Sequence, residues 1–138
     1  MTTPLSTEMF WLVFTTTMTG LFWIPYILNR LLEQGILNGL WDPHGCTDTS
    51  KAWARRMMQA HANAIENLAI FAPLVLAVQL TGSNSSATAT ACMIYFFARL
   101  VHYLAFSFAI PILRVLTFLA GVGAQLLIAS VLLGPVLY

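Results

Sequence analysis

Arg56, Gln59, Asn63, Glu66 and Asn67 fall inside an arc of roughly 100° when each residue of a helix is advanced by about 100°. A cation, three carboxamides and a carboxylate on one face suit a small water-soluble molecule that carries both carboxylates and an amino group. His61 points to the other side of the same helix. The same arithmetic gathers Arg99, His102, Tyr103 and Phe106 into a second arc of about 100°. These groups are scarce: the 138 residues include only six basic and five acidic side chains, and three of them lie between Arg55 and Asn67.

The elements that carry these faces are apolar. With 59% hydrophobic residues and a mean hydropathy of +0.79, the chain holds more apolar surface than a soluble domain of this size buries, whereas lipid accepts it. A spanning helix needs about 20 mostly apolar residues. Four stretches meet that need, at 9–32, 50–80, 87–108 and 112–137. The expected fold is an all-α integral membrane protein, a single four-helix transmembrane domain over 1–138. The first stretch lacks a basic start and a small-residue cleavage pattern, so it is expected to remain as a membrane helix.

Residues 34–50 carry three glycines and a proline and are expected to form a loop, with Thr49 or Ser50 capping the second helix. Thr81 to Ser86 is a short polar turn that makes the second and third helices antiparallel neighbours. The connection near Ala109-Ile110-Pro111 is tighter, with proline tolerated in the first turn of the last helix.

A net charge of +1 with no basic run leaves no footprint for nucleic acid. Cys46 and Cys92 do not form a disulfide framework, and His44-Gly45-Cys46 has no second pair with which to complete a metal site.

Basic residues set the expected orientation. Arg30, Lys51, Arg55 and Arg56 flank the first connection and Arg114 the third, while the N-terminal tail, the Thr81 to Ser86 turn and the C-terminus have none. The positive-inside rule puts the first and third loops in the cytoplasm and both termini on the opposite side. Arg30, Lys51 and Arg55 near the surface also fit simple anchoring or snorkelling. A charge deep in a helix costs about 2.5 to 3.5 kcal/mol on insertion scales, so Glu66 and Arg99 each need a partner. Pairing with each other is one way to supply it.

The run Arg56-x-x-Gln59-Ala60-His61-x-Asn63-x-x-Glu66-Asn67, followed by Phe71, resembles the second-helix signature of the membrane-associated proteins in eicosanoid and glutathione metabolism, the MAPEG family. That family includes microsomal glutathione transferases, leukotriene C4 synthase and prostaglandin E synthase. Arg99-x-x-His102 and Pro111-x-x-Arg114 match its later motifs, and the likeness covers nearly the whole chain. Trp23-Ile24-Pro25-Tyr26-Ile27-Leu28-Asn29-Arg30 is closest in look to bacterial members, which implies a bacterial inner membrane.

The resemblance implies a homotrimer of four-helix bundles that binds glutathione, as cosubstrate, between subunits near the cytoplasmic face. Arg56, Asn63 and Glu66 would bind it, with Gln59 and Asn67 facing the tripeptide, Arg30 reaching in from the first helix, and Arg99 and His102 from the third. Arg114 matches the arginine that stabilises the glutathione thiolate in related enzymes. The implied function is a glutathione-dependent transferase or peroxidase acting on a lipophilic electrophile or hydroperoxide. Three positions depart from active relatives: Gln59 stands where many have arginine, Ala62 where some have a polar or basic residue, and Phe106 where several have tyrosine. The alternative is a non-catalytic protein of the same fold that uses its polar faces for assembly or another ligand. A small multidrug exporter would need a carboxylate within its first span, and Glu8 precedes that apolar run.

Overall fold

The computed structural model describes residues 4–46 and 48–137. Among these residues there are six helices: α1 Thr7–Leu21, α2 Ile24–Gln34, α3 Ile36–Leu40, α4 Ala52–Thr81, α5 Ser86–Ser107 and α6 Pro111–Leu137. Four spans are long and apolar enough to cross a membrane: α1 with α2, α4, α5 and α6.

The first span differs from the single helix its composition predicts, because it breaks at Phe22 and Trp23. Pro25 sits in the first turn of α2, where it lacks the N–H that would continue the ladder and its ring crowds the carbonyl one turn back. The break is secured from outside: the Tyr103 hydroxyl donates to the Phe22 carbonyl at 2.9 Å, and the two rings stack at 3.8 Å. The expected loop at 34–50 contains α3. Gly35, with φ of 83°, reverses the chain between α2 and α3, a left-handed region that glycine enters at little steric cost.

The other ends follow local chemistry. Ser6 caps α1 by accepting from Met9 N at 3.2 Å. Ser85 and Thr88 form a reciprocal capping box at the start of α5, which satisfies two otherwise orphaned N–H groups. Lys51, not Thr49 or Ser50, is the N-cap of α4, and no side chain caps that end. The Thr49 hydroxyl instead accepts from Lys51 N at 3.1 Å and from Asn29 Nδ2 at 3.0 Å.

Half of the 22 residues of α5 are buried, and it packs against α1, α4 and α6. Phe71 of α4 stacks on Tyr95 of α5 at 3.7 Å, inside a core completed by Leu12, Val75, Val78, Cys92 and Ile128. Large apolar side chains of α1 and α6, such as Phe10, Phe14, Leu116, Leu119 and Leu126, are exposed. Water would penalise that surface and a bilayer does not. Cys46 is exposed and Cys92 is buried, both as free thiols.

At the end of the bundle near the N-terminus, buried Glu8 ties α1 to α5. Its Oε1 accepts from Thr88 Oγ1 at 2.6 Å and from Ser85 N at 3.3 Å. Glu8→Ala keeps Thr88 Oγ1 at 2.9 Å as an acceptor for Ser85 N and the Ser85 carbonyl at 3.0 Å as one for the Thr88 hydroxyl, so its loss is that of the charge-assisted bonds tying α1 to α5, about 1.5–3 kcal/mol. Its melting temperature in detergent is expected to fall by several degrees, whereas Thr90→Ala, which removes one exposed hydroxyl bond within α5, should leave it nearly unchanged.

Candidate functional site

The polar face of α4 divides into two parts. Asn63 and Asn67 turn into the bundle, while Gln59 and Glu66 are exposed on the surface of the protomer. Arg56 is half-buried, and its Nε donates to the Ser107 carbonyl at 2.9 Å, tying α4 to the end of α5. His61 lies off this face, as the helical spacing predicts, and its Nδ1 is 2.7 Å from the Tyr26 hydroxyl.

Asn63 is the junction of the inner network. Its Oδ1 accepts from Arg99 Nη1 at 3.2 Å and from Asn67 Nδ2 at 3.4 Å, and Asn67 Nδ2 also donates to the Asn63 carbonyl at 2.9 Å. Gln125 Nε2 of α6 then donates to the Asn67 carbonyl at 3.1 Å. The chain of bonds therefore joins α5, α4 and α6 at mid-bundle. The Glu66–Arg99 pair that charge compensation suggests does not form in the protomer: Arg99 takes Asn63 as its partner, and Glu66 faces outward.

Arg99 is only 2% exposed. Its guanidinium carbon lies 5.5 Å from the centre of the Phe118 ring and 5.9 Å from that of Tyr95, within the range where ring quadrupoles attract a cation. Among the described residues, its Nε and Nη2 have no hydrogen-bond partner, nor does the buried Tyr95 hydroxyl. The close approach depends on Gly121, since a Cβ there would lie 3.2 Å from Arg99 Nε and 3.3 Å from Nη2. A buried cation with unused donors is an unsatisfied demand for an acceptor.

His102 is also buried. Its Nδ1 donates to the Arg114 carbonyl at 2.9 Å, and its Nε2 has no partner. The Arg114 guanidinium lies over the Phe106 ring at 4.9 Å, a contact that needs no phenolic hydroxyl. Asn63, His102, Phe106 and Arg114, with Val115 and Phe118, line a cleft of about 210 Å³. Three larger grooves, of about 430 Å³ beside Phe97 and Val101, about 360 Å³ beside Phe14 and Phe96 and about 300 Å³ beside Pro111 and Ile112, are almost wholly apolar and lack the convergent polar groups that a water-soluble ligand needs. A polar hollow of about 430 Å³, lined by Ser6, Glu8, Asn84 and Ser85, lies at the N-terminal end of the bundle and holds no basic side chain among the described residues.

Arg30 stands apart from this cleft. It forms an ion pair with Asp42 of the first loop. The N–H groups of His44 (2.9 Å) and Cys46 (2.6 Å) also bond the Asp42 carboxylate. These two bonds first, and Arg30 after them, hold that carboxyl below its usual range.

The structure thus gathers Asn63, Asn67, Arg99, His102 and Arg114, places Arg56 at the margin, and leaves Gln59, Glu66 and Arg30 outside the cleft. Gln125, Gly121 and Phe118 belong to the same region and escaped the helical-face reasoning. A lone carboxamide one turn after a glycine in the mostly apolar α6 was the available signal. Among the described residues, no group of three His, Cys, Asp or Glu side chains could hold a metal ion.

Four apolar spans packed around a buried polar centre define an all-helical, multi-pass integral membrane protein. The MAPEG family model matches residues 9–134, and the chain belongs to that family. This places it among the membrane proteins of eicosanoid and glutathione metabolism, which generally use glutathione. No curated protein and no solved structure matches the chain.

Proposed function

We propose that the protein is a glutathione-dependent transferase or peroxidase acting on a lipophilic electrophile or hydroperoxide, assembled as a homotrimer in the bacterial inner membrane. The observation that carries this reading is the cleft beside Arg114, with Asn63 and His102 in its wall and Arg99 behind it holding unused donors. Glutathione brings two carboxylates, an amino group and amide carbonyls, the acceptors and cation that such a wall of donors and the nearby carboxylate of Glu66 would complement.

A second subunit has a specific place in this reading. The cleft is smaller than the roughly 300 Å³ at which pockets begin to enclose a ligand of drug size. Exposed Gln59 and Glu66 would be costly against lipid, so a partner surface would both complete the cleft and cover them. The first and third loops would face the cytoplasm, the source of a water-soluble thiol.

Arg114 would act on the thiol. A thiol of pKa near 8.5 is a few per cent ionised at pH 7, and a cation that lowers this by about two units makes the thiolate the main form. The sulfur then attacks an electrophilic carbon and expels its leaving group, or attacks the terminal hydroperoxide oxygen, breaking the O–O bond to release the alcohol once the alkoxide is protonated and leaving glutathione sulfenic acid, which a second glutathione converts to the disulfide and water. His102, bonded to the Arg114 carbonyl, would fix the start of α6 and with it the guanidinium. The test is conjugation of a generic aromatic electrophile and reduction of a lipid hydroperoxide by detergent-solubilised protein: glutathione-dependent turnover of at least one is expected, and turnover of both no faster than that of buffer would refute the enzymatic reading.

A non-catalytic protein of the same fold is the second reading, favoured by the Phe106 ring occupying the face of the Arg114 guanidinium. It would use its polar faces for assembly or for another ligand, and it predicts no stabilisation by glutathione and loss of assembly in Glu66→Ala.

A further inference from the structure

The polarity of α2 and α3 is reversed relative to a soluble helix pair. The polar side chains of α2 turn toward the protein: Asn29 Nδ2 bonds Thr49, Arg30 pairs with Asp42, and Glu33 Oε1 accepts from Ser50 Oγ at 2.7 Å. The apolar ones turn out. Trp41 is 89% exposed, Leu32 84% and Leu37 82%, with Leu28, Ile36 and Leu40 also uncovered. An exposed apolar surface of this kind is stable only against another apolar phase.

Chain geometry sets its depth. At about 1.5 Å per residue, the roughly 30 Å hydrocarbon core is crossed in about 20 residues. Counted from Thr7, that distance ends near Tyr26, so the rest of α2 emerges into the headgroup layer. Gly35 then turns the chain, and α3 folds back on α2 rather than outward: a Cβ at Gly39 would lie 2.6 Å from Leu31 Cδ2. The exposed face of α3 therefore stays within a few residues' rise of the apolar boundary and continues the lipid-facing surface of the first span. Exposed Lys51 and Arg55 lie at the same end of the bundle.

We infer that α3 and the outer face of α2 are seated in the phospholipid interface, with Trp41 at the boundary between headgroups and acyl chains and Lys51 and Arg55 drawing anionic headgroups. Short amphipathic helices take this depth with their apolar face inserted about 5–10 Å, and tryptophan prefers the same layer. The first connection is then a membrane-surface element, not a loop in water.

The test uses full-length protein with Trp11, Trp23 and Trp53 each replaced by Phe, leaving Trp41, reconstituted in phosphatidylcholine and phosphatidylglycerol vesicles. Blue-shifted emission is expected, quenched more by lipids brominated near the top of the acyl chain than near its end, and protected from aqueous acrylamide. Quenching by acrylamide and not by bromolipid would place the segment in water and overturn the inference. Protection from both quenchers would place a protein surface over it and overturn it equally. If the triple replacement fails to fold, a nitroxide on Leu37→Cys in a Cys46→Ser background reads the same depth: it is expected to be more accessible to oxygen than to a nickel chelate, and the reverse order would contradict the assignment.

Discussion

Arg114→Ala is expected to lower glutathione-dependent turnover at pH 7 by about 20- to 30-fold while glutathione binding changes much less. The factor follows from the thiolate fraction, which falls from most of the bound thiol to a few per cent when a stabilisation of about two pKa units is removed. The sign of the pH dependence is fixed by the same reasoning. The wild-type advantage is greatest below the ordinary thiol pKa of about 8.5 and shrinks as pH rises through it, because the variant's thiol then ionises without help. Initial rates of wild type and variant from pH 6.5 to 9.5, with saturating glutathione, measure this directly. A deficit that stays constant across that range would mean that Arg114 positions substrate and does not govern the thiol. The contact with Phe106 gives a control, since Phe106→Leu removes the ring but keeps the cation and should retain the wild-type profile.

Arg99→Met should produce the opposite separation, a large loss of binding with little loss of fold. The side chain is 2% exposed, has no carboxylate partner in the protomer, and leaves two nitrogens unbonded. Removing an unpaired buried charge in favour of an apolar chain of similar length is close to neutral for stability. Asn63 Oδ1 keeps Asn67 as a donor, so the polar chain across α4 and α6 survives. Losing one charged partner of a buried ligand group costs at least about 2 kcal/mol, or roughly 30-fold in affinity. Isothermal titration with glutathione beside thermal melting separates the two effects. Unchanged affinity with a fallen melting temperature would make Arg99 a packing element. Phe71→Ala supplies that contrast, because it empties a fully buried stack and should cost about 3–5 kcal/mol.

The architecture was legible because its cause is compositional: runs of about 20 apolar residues in lipid have few alternatives to a helix. The break at Phe22 was signalled by Pro25 but masked by the apolar run on either side. The inward turn of Asn63 and Asn67 was also legible, since helical spacing fixes which residues share a face. Spacing does not fix where that face ends. Glu66 and Gln59 lie at its edge, and only packing against α5 and α6 decides that Arg99 meets Asn63 and leaves Glu66 outside. Arg30 illustrates a related limit, because its partner Asp42 lies beyond the turn at Gly35. The family resemblance supplied Arg114 and His102 as members of one site, and the structure adds the bond that links them. Gln125 and Gly121 carry no motif, and their roles follow only from what α6 packs against.

The central claim is that the cleft between α4, α5 and α6 receives glutathione, and a thermal-shift titration of the solubilised protein with glutathione and an S-alkylated analogue tests it most directly. A ligand that binds only the folded state stabilises it by about 2.7 kcal/mol at a hundred times its Kd. Both compounds are therefore expected to raise the melting temperature by several degrees, and a roughly 30-fold loss of affinity in Arg99→Met should cut the stabilisation at the same concentration to about 0.9 kcal/mol, a third of the wild-type value. A flat titration with both, under conditions where the protein melts cooperatively, would contradict the account.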